Sequence, residues 1–587
     1  MPEFTGFLDG PSYPMESVIA ESSRIVNWRR EPILSGQGKN RYALLRQPGL
    51  KVFVDTQASG TTVGSGSVRG AINVNGRDFR VIGNCLIEIL DGAWPNTAGT
   101  GSYVNRSTSV NIQDDGLTAW MRSNPTQLAI VSGGHYYIYT YATNVLQEVT
   151  IGLVGTPSTV AFLDGFFILT FYNSQQYQIS ALNDGTTFDA LDISSAESRP
   201  DYLVAAHDSK GRAWMFGQQT IQLIFNAGSP TFPFEADRSA EFNVGLVARD
   251  SVERNGDTLF FVGTGDVGSI GAYKTAGLSI EKISTFAIDA IFKGYKNPET
   301  AYGWCYSENG HVCWRITFPN IDNAGASRTW EYDDSLGPVN GWTEVPFYNW
   351  ITGQEEAHRA RCAAVSFGRI LVGDRAIGRI YELNSSYQND AGAQIRRVRR
   401  SPHVYKEKKR ITYKSIEFDG NTGIGRTGLT TGLTTGLAAC ASVWACFTPV
   451  STFVAALTSL LTAGTLTINQ VSVLTAIYSN AACRAVAADG GISGANSVTG
   501  VIVRSLAMIG YTEPDNPTAS LRWSDDGGRT WSDFVSVPFG KLGEYKTLPV
   551  KYRLGEAMDR VWELVVSESA DWCLTACTME YELEDAD

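Results

Sequence analysis

This sequence predicts an all-β protein, a β-propeller joined to a β platform that carries an inserted lobe, and three observations predict it. Glycine accounts for 59 of 587 residues, and charged residues make up 18% against about 25% in an ordinary domain, which leaves little material for long charged helices. The 25 Tyr, 26 Phe and 14 Trp suit short strands punctuated by turns. Between residues 70 and 375 one pattern recurs seven times: an apolar strand, a turn glycine, and a second strand rich in aromatic or β-branched residues. At about 150 residues per domain the chain has room for two to four domains, and its 43% hydrophobic content can fill them.

The turn glycines are Gly76, Gly134, Gly165, Gly211, Gly256, Gly310 and Gly368, in segments such as AINVNGRDFRVIG and VAFLDGFFILTF. Their intervals are 58, 31, 46, 45, 54 and 58, an average of about 49, inside the roughly 40–50-residue period of four-stranded propeller blades. Seven blades over residues 51–385 are therefore expected, with six as the alternative count, after an N-terminal arm and first strands over 1–50. A blade exposes apolar faces that only stacking around a ring can bury, so the period persists while the sequence between turns drifts. The competing reading is an irregular pair of sandwiches, and the uneven 58 and 31 fit it best.

Composition changes abruptly at Gln394. The segment QIRRVRRSPHVYKEKKRITYK sets Arg396, Arg397, Arg399, Arg400, Lys406, Lys408, Lys409 and Arg410 against the single acid Glu407, and marks a basic connector with the first platform strands over 386–426. An inserted lobe follows over 427–516, with no charge from Thr427 to Cys483 and a GLTTGLTTGL repeat. Its apolar run is long enough to cross a bilayer, yet Pro449 and its many Thr and Ser favour a packed lobe, so no stable membrane span is expected. Residues 517–587 return to strands, with TASLRWSDDGGRTWSDF as a hairpin and RVWELVVSE as an alternating strand.

Within that hairpin, Ser524, Asp526, Gly528, Thr530 and Trp531 match the S-x-D-x-G-x-T-W Asp-box, whose work is geometric: the carboxylate bonds turn amides, the glycine permits a positive φ and the tryptophan packs against the hairpin. A degenerate copy runs from Ala181 to Phe188. Asp-boxes decorate sialidase propellers, but no arginine cluster or tyrosine nucleophile is marked by spacing here. The paired acids Asp114-Asp115, Asp333-Asp334 and Asp525-Asp526 sit in turn-like contexts, and the G-x-G runs at Gly64 and Gly263 lack a following amphipathic helix. The five histidines are scattered, and the nine cysteines form no C-x-x-C pair and suit buried thiols in a reducing compartment. No catalytic residue, cofactor or metal is expected. The amino terminus lacks a basic stretch followed by an apolar run, so no secretory signal is expected either.

The formal charge of −12 argues against wrapping nucleic acid by attraction, which makes the connector stand out. Eight cations between Arg396 and Arg410 repel one another unless anions face them. Those anions could be DNA phosphates or an acidic face on another subunit; the third reading is a solvated linker. On a strand, Arg397 and Arg399 share one face while Arg396, Val398 and Arg400 take the other, so neither face is expected to be core.

Several longer segments resemble one family. ESSRIVNWRRE with the Gln47-Pro48-Gly49-Leu50 turn, VAFLDGFFI, ISALNDGTTFDALDISSAESRPD, AGSPTFPFE, HRARCAAVSFGRILVGDRAIGRIYEL, IRRVRRSPHVY, FDGNTGIG, LRWSDDGGRTWSD and RLGEAMDRVWEL occur in the order seen in the packaged-DNA stabilisation proteins, the tail hub or nozzle proteins of short-tailed bacteriophages. The resemblance covers roughly residues 20–425 and 518–583; the uncharged insert departs from it. It implies a non-enzymatic virion protein of the tail, made in the host cytoplasm. Six copies are implied to form a ring below the portal and adaptor that extends and closes the DNA channel, retains the genome and docks tailspikes or fibres. Six copies would carry a formal −72, six times −12, and an acidic lumen lets double-stranded DNA pass without trapping. On this view the basic run is an inter-subunit or adaptor contact, with a grip on DNA as the other option. The reading that competes with the whole is a tail-associated propeller that binds or cleaves glycans.

Overall fold

The computed structural model describes residues 4–13, 17, 19–35, 40–56, 64–91, 103–196, 201–229, 231–265, 268–322, 324–349, 352–406, 409–423, 516–541 and 543–583. The insert expected over 427–516 therefore lies outside the described residues except for Asn516, as do Glu407 and Lys408. The chain divides into two compact units, one of residues 53–349 and 354–382, the other of residues 1–52, 350–353 and 383–587.

The first unit is a seven-bladed β-propeller. Blade one is built from Val68–Val74, Arg77–Ile82, Cys85–Ile89 and Tyr103–Asn105, and blade two from Trp120–Ser123, Gln127–Ser132, His135–Thr140 and Val145–Glu148. Blades three and four open with Pro157–Leu163 and Leu203–Ser209, each the first of four consecutive antiparallel strands. In blade five the first position is divided between Gly245–Leu246 and Glu253–Asn255, which both pair with Thr258–Thr264. Blade six opens with Tyr302–Glu308. Blade seven takes Ala360–Ser366, Arg369–Asp374 and Arg379–Asn384 from the carboxyl side of the ring, and its fourth strand, Gly49–Asp55, from the amino side. Asp55 fastens that strand by accepting bonds from Arg379 Nε and Nη2 at 2.8 and 2.5 Å.

All seven turn glycines lie at hairpin tips with positive φ, from 60° at Gly256 to 91° at Gly165. The uneven intervals have a local cause. Six of these glycines close the first hairpin of a blade, whereas Gly134 closes the second hairpin of blade two. The first turn there is Asn124-Pro125-Thr126, in which Asn124 Oδ1 accepts from Thr126 N at 2.9 Å and Gln127 N at 2.6 Å, doing without glycine.

Apolar faces of neighbouring blades bury one another. Phe79, Val81 and Leu86 of blade one meet Met121, Leu128, Ile130 and Tyr137 of blade two, and Val68 and Ile87 meet Leu371 and Ile380 where blade seven closes the ring. Blades six and seven are joined by a polar seam instead: Arg315 donates to Glu331 at 2.5 Å and meets His358 Nε2 at 3.0 Å. Desolvation, reinforced by Arg315, pushes His358 well below the usual histidine range, so it is neutral and serves as an acceptor.

The second unit is a β-sandwich. One sheet contains Trp28–Pro32, Tyr42–Arg46, Cys573–Leu583, Ile411–Gly420 and Val550–Tyr552; the other contains Arg24–Val26, Arg397–Arg400, Asp559–Val566, Thr518–Ser524 and Val535–Pro538. Trp28, Leu44, Ile416, Phe418, Leu521, Trp562, Leu564 and Leu574 are buried together in one core. The six described cysteines are free thiols, four of them buried.

Candidate functional site

The second sheet of the sandwich brings together the two motifs that the sequence singles out, the basic connector and the Asp-box. Arg400 on Arg397–Arg400 and Arg522 on Thr518–Ser524 are both registered against Glu563 on the strand between them. Arg400 donates to Glu563 Oε2 through Nε and Nη2 at 2.9 and 2.7 Å, and Arg522 donates to Oε1 at 2.8 and 2.5 Å. Burial alone would raise the Glu563 pKa, but the two guanidinium groups outweigh it and hold the carboxyl below its ordinary range. Trp531 of the Asp-box lies over both arginines, with ring centroids 4.7 Å from Arg400 and 4.6 Å from Arg522.

The Asp-box turn is closed by its own residues. Ser524 Oγ donates to Asp526 Oδ1 at 2.7 Å and accepts from Gly528 N at 2.7 Å. Asp526 also accepts from the amides of Arg529 and Thr530 and from the Thr530 hydroxyl at 2.6 Å, while Trp531 Nε1 donates to Gly528 O at 3.1 Å. The Thr530 hydroxyl and the turn amides hold Asp526 well below the usual carboxylate range. Gly528 has φ 96°. In the degenerate copy, Asp184 accepts from Thr186 N, Thr186 Oγ1 and Thr187 Oγ1; partial burial opposes ionisation, but these bonds win and bring it down to about 2. Both carboxylates are turn locks. The paired acids are likewise engaged: Asp114 and Asp115 with Arg69, Asp333 with His311, and Asp525 with Arg560.

The rest of the connector divides by burial, and here the expectation that neither strand face is core does not hold. Arg397, Val398 and Arg399 are all 0% exposed. Arg399 donates to the carbonyls of Phe7, Gly6 at 3.2 Å and Gly10 at 3.0 Å, and Arg30 donates to Asp9 O at 2.5 Å. The two guanidinium groups thus cap the last carbonyls of the short helix Thr5–Asp9, which no further turn of helix would otherwise satisfy. Burial, reinforced by Arg30, brings the Arg399 pKa down to about 9. Arg397 donates to Ile395 O at 3.2 Å, and burial brings it down to about 10, with Asp390 opposing. Arg396 and Lys409 are half-buried, whereas Lys406 and Arg410 are exposed, Arg410 against Glu556 at 2.5 Å. Next to them, Tyr405 and Met558 are 50% and 54% exposed, with Tyr405 registered on Asp559. Lys408 lies outside the described residues.

Sequence reasoning missed Arg522, Glu563 and Arg30. For two of them the signal was a lone charge in a short apolar stretch: Glu563 is the single acid in VWELVV, and Arg522 the single cation in SLRWS. Among the described residues no cluster of His, Cys, Asp or Glu could hold a metal ion, and no helix is long and apolar enough to cross a membrane.

These features define a β-propeller protein whose polar clusters, in the propeller seam and the sandwich alike, bind the fold to itself. The model of the phage stabilisation family described as "Bacteriophage P22 Gp10, beta-propeller" matches residues 30–388, and the chain belongs to that family of packaged-DNA stabilisation proteins. No curated protein shows a significant match. Among solved structures, the chain is similar to the extracellular domain of a hybrid two-component system from B. thetaiotaomicron, with 9% identity, a TM-score of 0.36 and coverage of 58% of this chain and 39% of that one. The chain thus spans about two fifths of that relative's length. It is also similar to U3-55K, with 11% identity, TM-score 0.34 and coverage of 57% and 98%. The Neurospora crassa Pan2 WD40 domain gives 8%, 0.34, and coverage of 55% and 89%.

Proposed function

We propose that this chain is a non-enzymatic tail hub or nozzle protein of a short-tailed phage. Copies of it, six by expectation, assemble into a ring below the portal and adaptor, extend and close the DNA channel, hold the packaged genome and dock spikes or fibres. The observation that carries the reading is the family match laid over a complete propeller. The connector supports it in a narrower form than its charge count suggests. Arg397 and Arg399 are committed to the sandwich interior, so the contact with a neighbouring subunit or the adaptor falls to the exposed Tyr405, Lys406, Arg410 and Met558, of which Tyr, Arg and Met are residue types enriched at interfaces. Asp526, the residue a glycan-cleaving reading would recruit, is saturated by donors of its own turn.

Sedimentation and electron microscopy of the chain with its portal–adaptor complex test this. A ring is expected, and K406S/R410S/Y405S is expected to fold yet assemble at least tenfold more weakly. A chain that stays monomeric with the complex present overturns the proposal, and normal assembly of the triple variant with early DNA leakage would move these residues to a grip on DNA.

A further inference from the structure

The axis of the propeller is a channel of about 220 Å³, lined by Arg69, Arg122, Arg254 and Arg361 against the carboxylates of Asp250 and Glu253. An excess of cations there is notable in a chain of net charge −12. Most of these groups are committed. Arg69 is held by Asp114, Asp115, Ser132 and carbonyls including those of Gly83 and Leu117. Arg122 and Arg254 share Asp208 at 3.2 and 2.6 Å, and Asp250 is paired with Arg249 at 2.8 Å. Arg361 differs. It is 8% exposed and lines the channel, its Nε is buried without a hydrogen-bond partner, and its guanidinium lies 5.1 Å from the centroid of the Tyr302 ring.

A guanidinium removed from bulk water with donors unspent is costly unless an anion completes it. The Tyr302 ring lies against the guanidinium at 5.1 Å, and the planar fork of an arginine can donate to two oxygens of one group. We propose that the propeller axis is a binding site for a compact oxyanion, a phosphate or a small carboxylate, whose oxygens are taken by Arg361 and whose charge is balanced by the surrounding arginines. The volume admits a phosphate with a few waters, at about 30 Å³ per water, and is far too small for a nucleic-acid duplex. The site is independent of ring assembly.

The test is thermal unfolding and isothermal titration of the full chain with inorganic phosphate, with succinate, and with sodium chloride at matched ionic strength. Phosphate or succinate is expected to raise the Tm of the wild type in a saturable way that chloride does not, and whichever binds more tightly identifies the oxyanion class. R361M is expected to weaken that binding at least tenfold. R361K, which keeps the charge and the fold but not the fork, is expected to fall between the two and serves if R361M does not fold. No specific shift with either anion in the wild type, or unchanged affinity in R361K and R361M, overturns the proposal.

Discussion

Arg400 and Glu563 are direct cross-strand partners, 2.7 Å apart at their charged ends, although 163 residues separate them in the chain. The Glu563 side chain is 1% exposed and that of Arg400 18%, so the pair is a buried carboxylate facing a half-wet guanidinium. Arg522 occupies the other side of the same carboxylate, and Trp531 covers both arginines. One acid therefore makes two like charges compatible on adjacent positions of a sheet and ties the connector to the Asp-box hairpin.

Glu563→Gln is expected to destabilise the sandwich by about 2–3 kcal/mol. Removing one member of a buried ion pair costs roughly 3–5 kcal/mol, and the partial exposure of both arginines moves the figure below that range. Urea denaturation at pH 7 followed by tryptophan fluorescence measures it. Since the folded carboxyl titrates below its unfolded value, the contribution is complete above the ordinary carboxylate range and fades as pH falls through the lower folded value, so wild type and variant should converge in acid. A difference that persists undiminished at pH 2 would contradict the assignment.

The propeller was legible because its turns need a residue that tolerates positive φ, and glycine announces itself in a sequence. The chain could not announce two things by this means. Blade two turns first on Asn124, whose side chain replaces glycine's freedom with bonds to Thr126 and Gln127, and blade seven is completed by Gly49–Asp55, from the opposite end of the ring. The connector failed for a different reason. Charge counts and strand alternation cannot see that the carbonyls of Gly6, Phe7 and Gly10 wait for Arg399, or that Glu563 waits for Arg400. Burial of a cation is decided by partners distant in sequence, and periodicity records only neighbours.

Arg399→Met should release the amino-terminal segment. The substitution keeps an apolar stem but leaves the carbonyls of Gly6, Phe7 and Gly10 without their donor inside the protein, a loss of about 2–4 kcal/mol. Limited proteolysis should then cut within residues 4–13 before the rest of the sandwich. Wild-type resistance at these residues would show that packing of Phe7 and Leu8 alone holds the segment.

Two turn glycines with the same backbone handedness should respond differently to alanine. At Gly211, φ 67°, an added Cβ meets open space, so Gly211→Ala costs only the left-handed backbone penalty of about 1–2 kcal/mol. At Gly165, φ 91°, the same atom lies 2.7 Å from Leu182 Cδ1 and 3.1 Å from Asn183 Oδ1, and the cost should exceed that of Gly211→Ala by about 1 kcal/mol. Paired denaturation curves decide it, and equal midpoints would refute the steric part.

Asp526→Ala is expected to loosen one turn and nothing more. Hydrogen exchange at the amides of Gly528, Arg529 and Thr530 should accelerate, because the first depends on Ser524 positioned by Asp526 and the others bond Asp526 directly. Protection in the propeller should be unchanged. Loss of a polysaccharide-cleaving activity in a variant whose hairpin kept its protection would instead restore the glycan reading.

Glu253 provides a pH test in the propeller. Burial raises its carboxyl to about 7, with Asp250 adding to the rise while Arg122 and Arg254 oppose it. Between the ordinary glutamate value near 4.5 and pH 7 the folded chain binds a proton that the unfolded chain has lost, so stability falls as pH rises across that window and stays lowered above it. Glu253→Gln removes the ionisation. It should leave stability unchanged below about pH 4 and raise it above pH 7 by about 2 kcal/mol, less than the full linkage because the side chain is only half-buried. Denaturation midpoints of wild type and variant from pH 4 to pH 8 check this. A gap that does not open between pH 5 and pH 7 would mean that Arg122 and Arg254 keep Glu253 ionised in the folded protein.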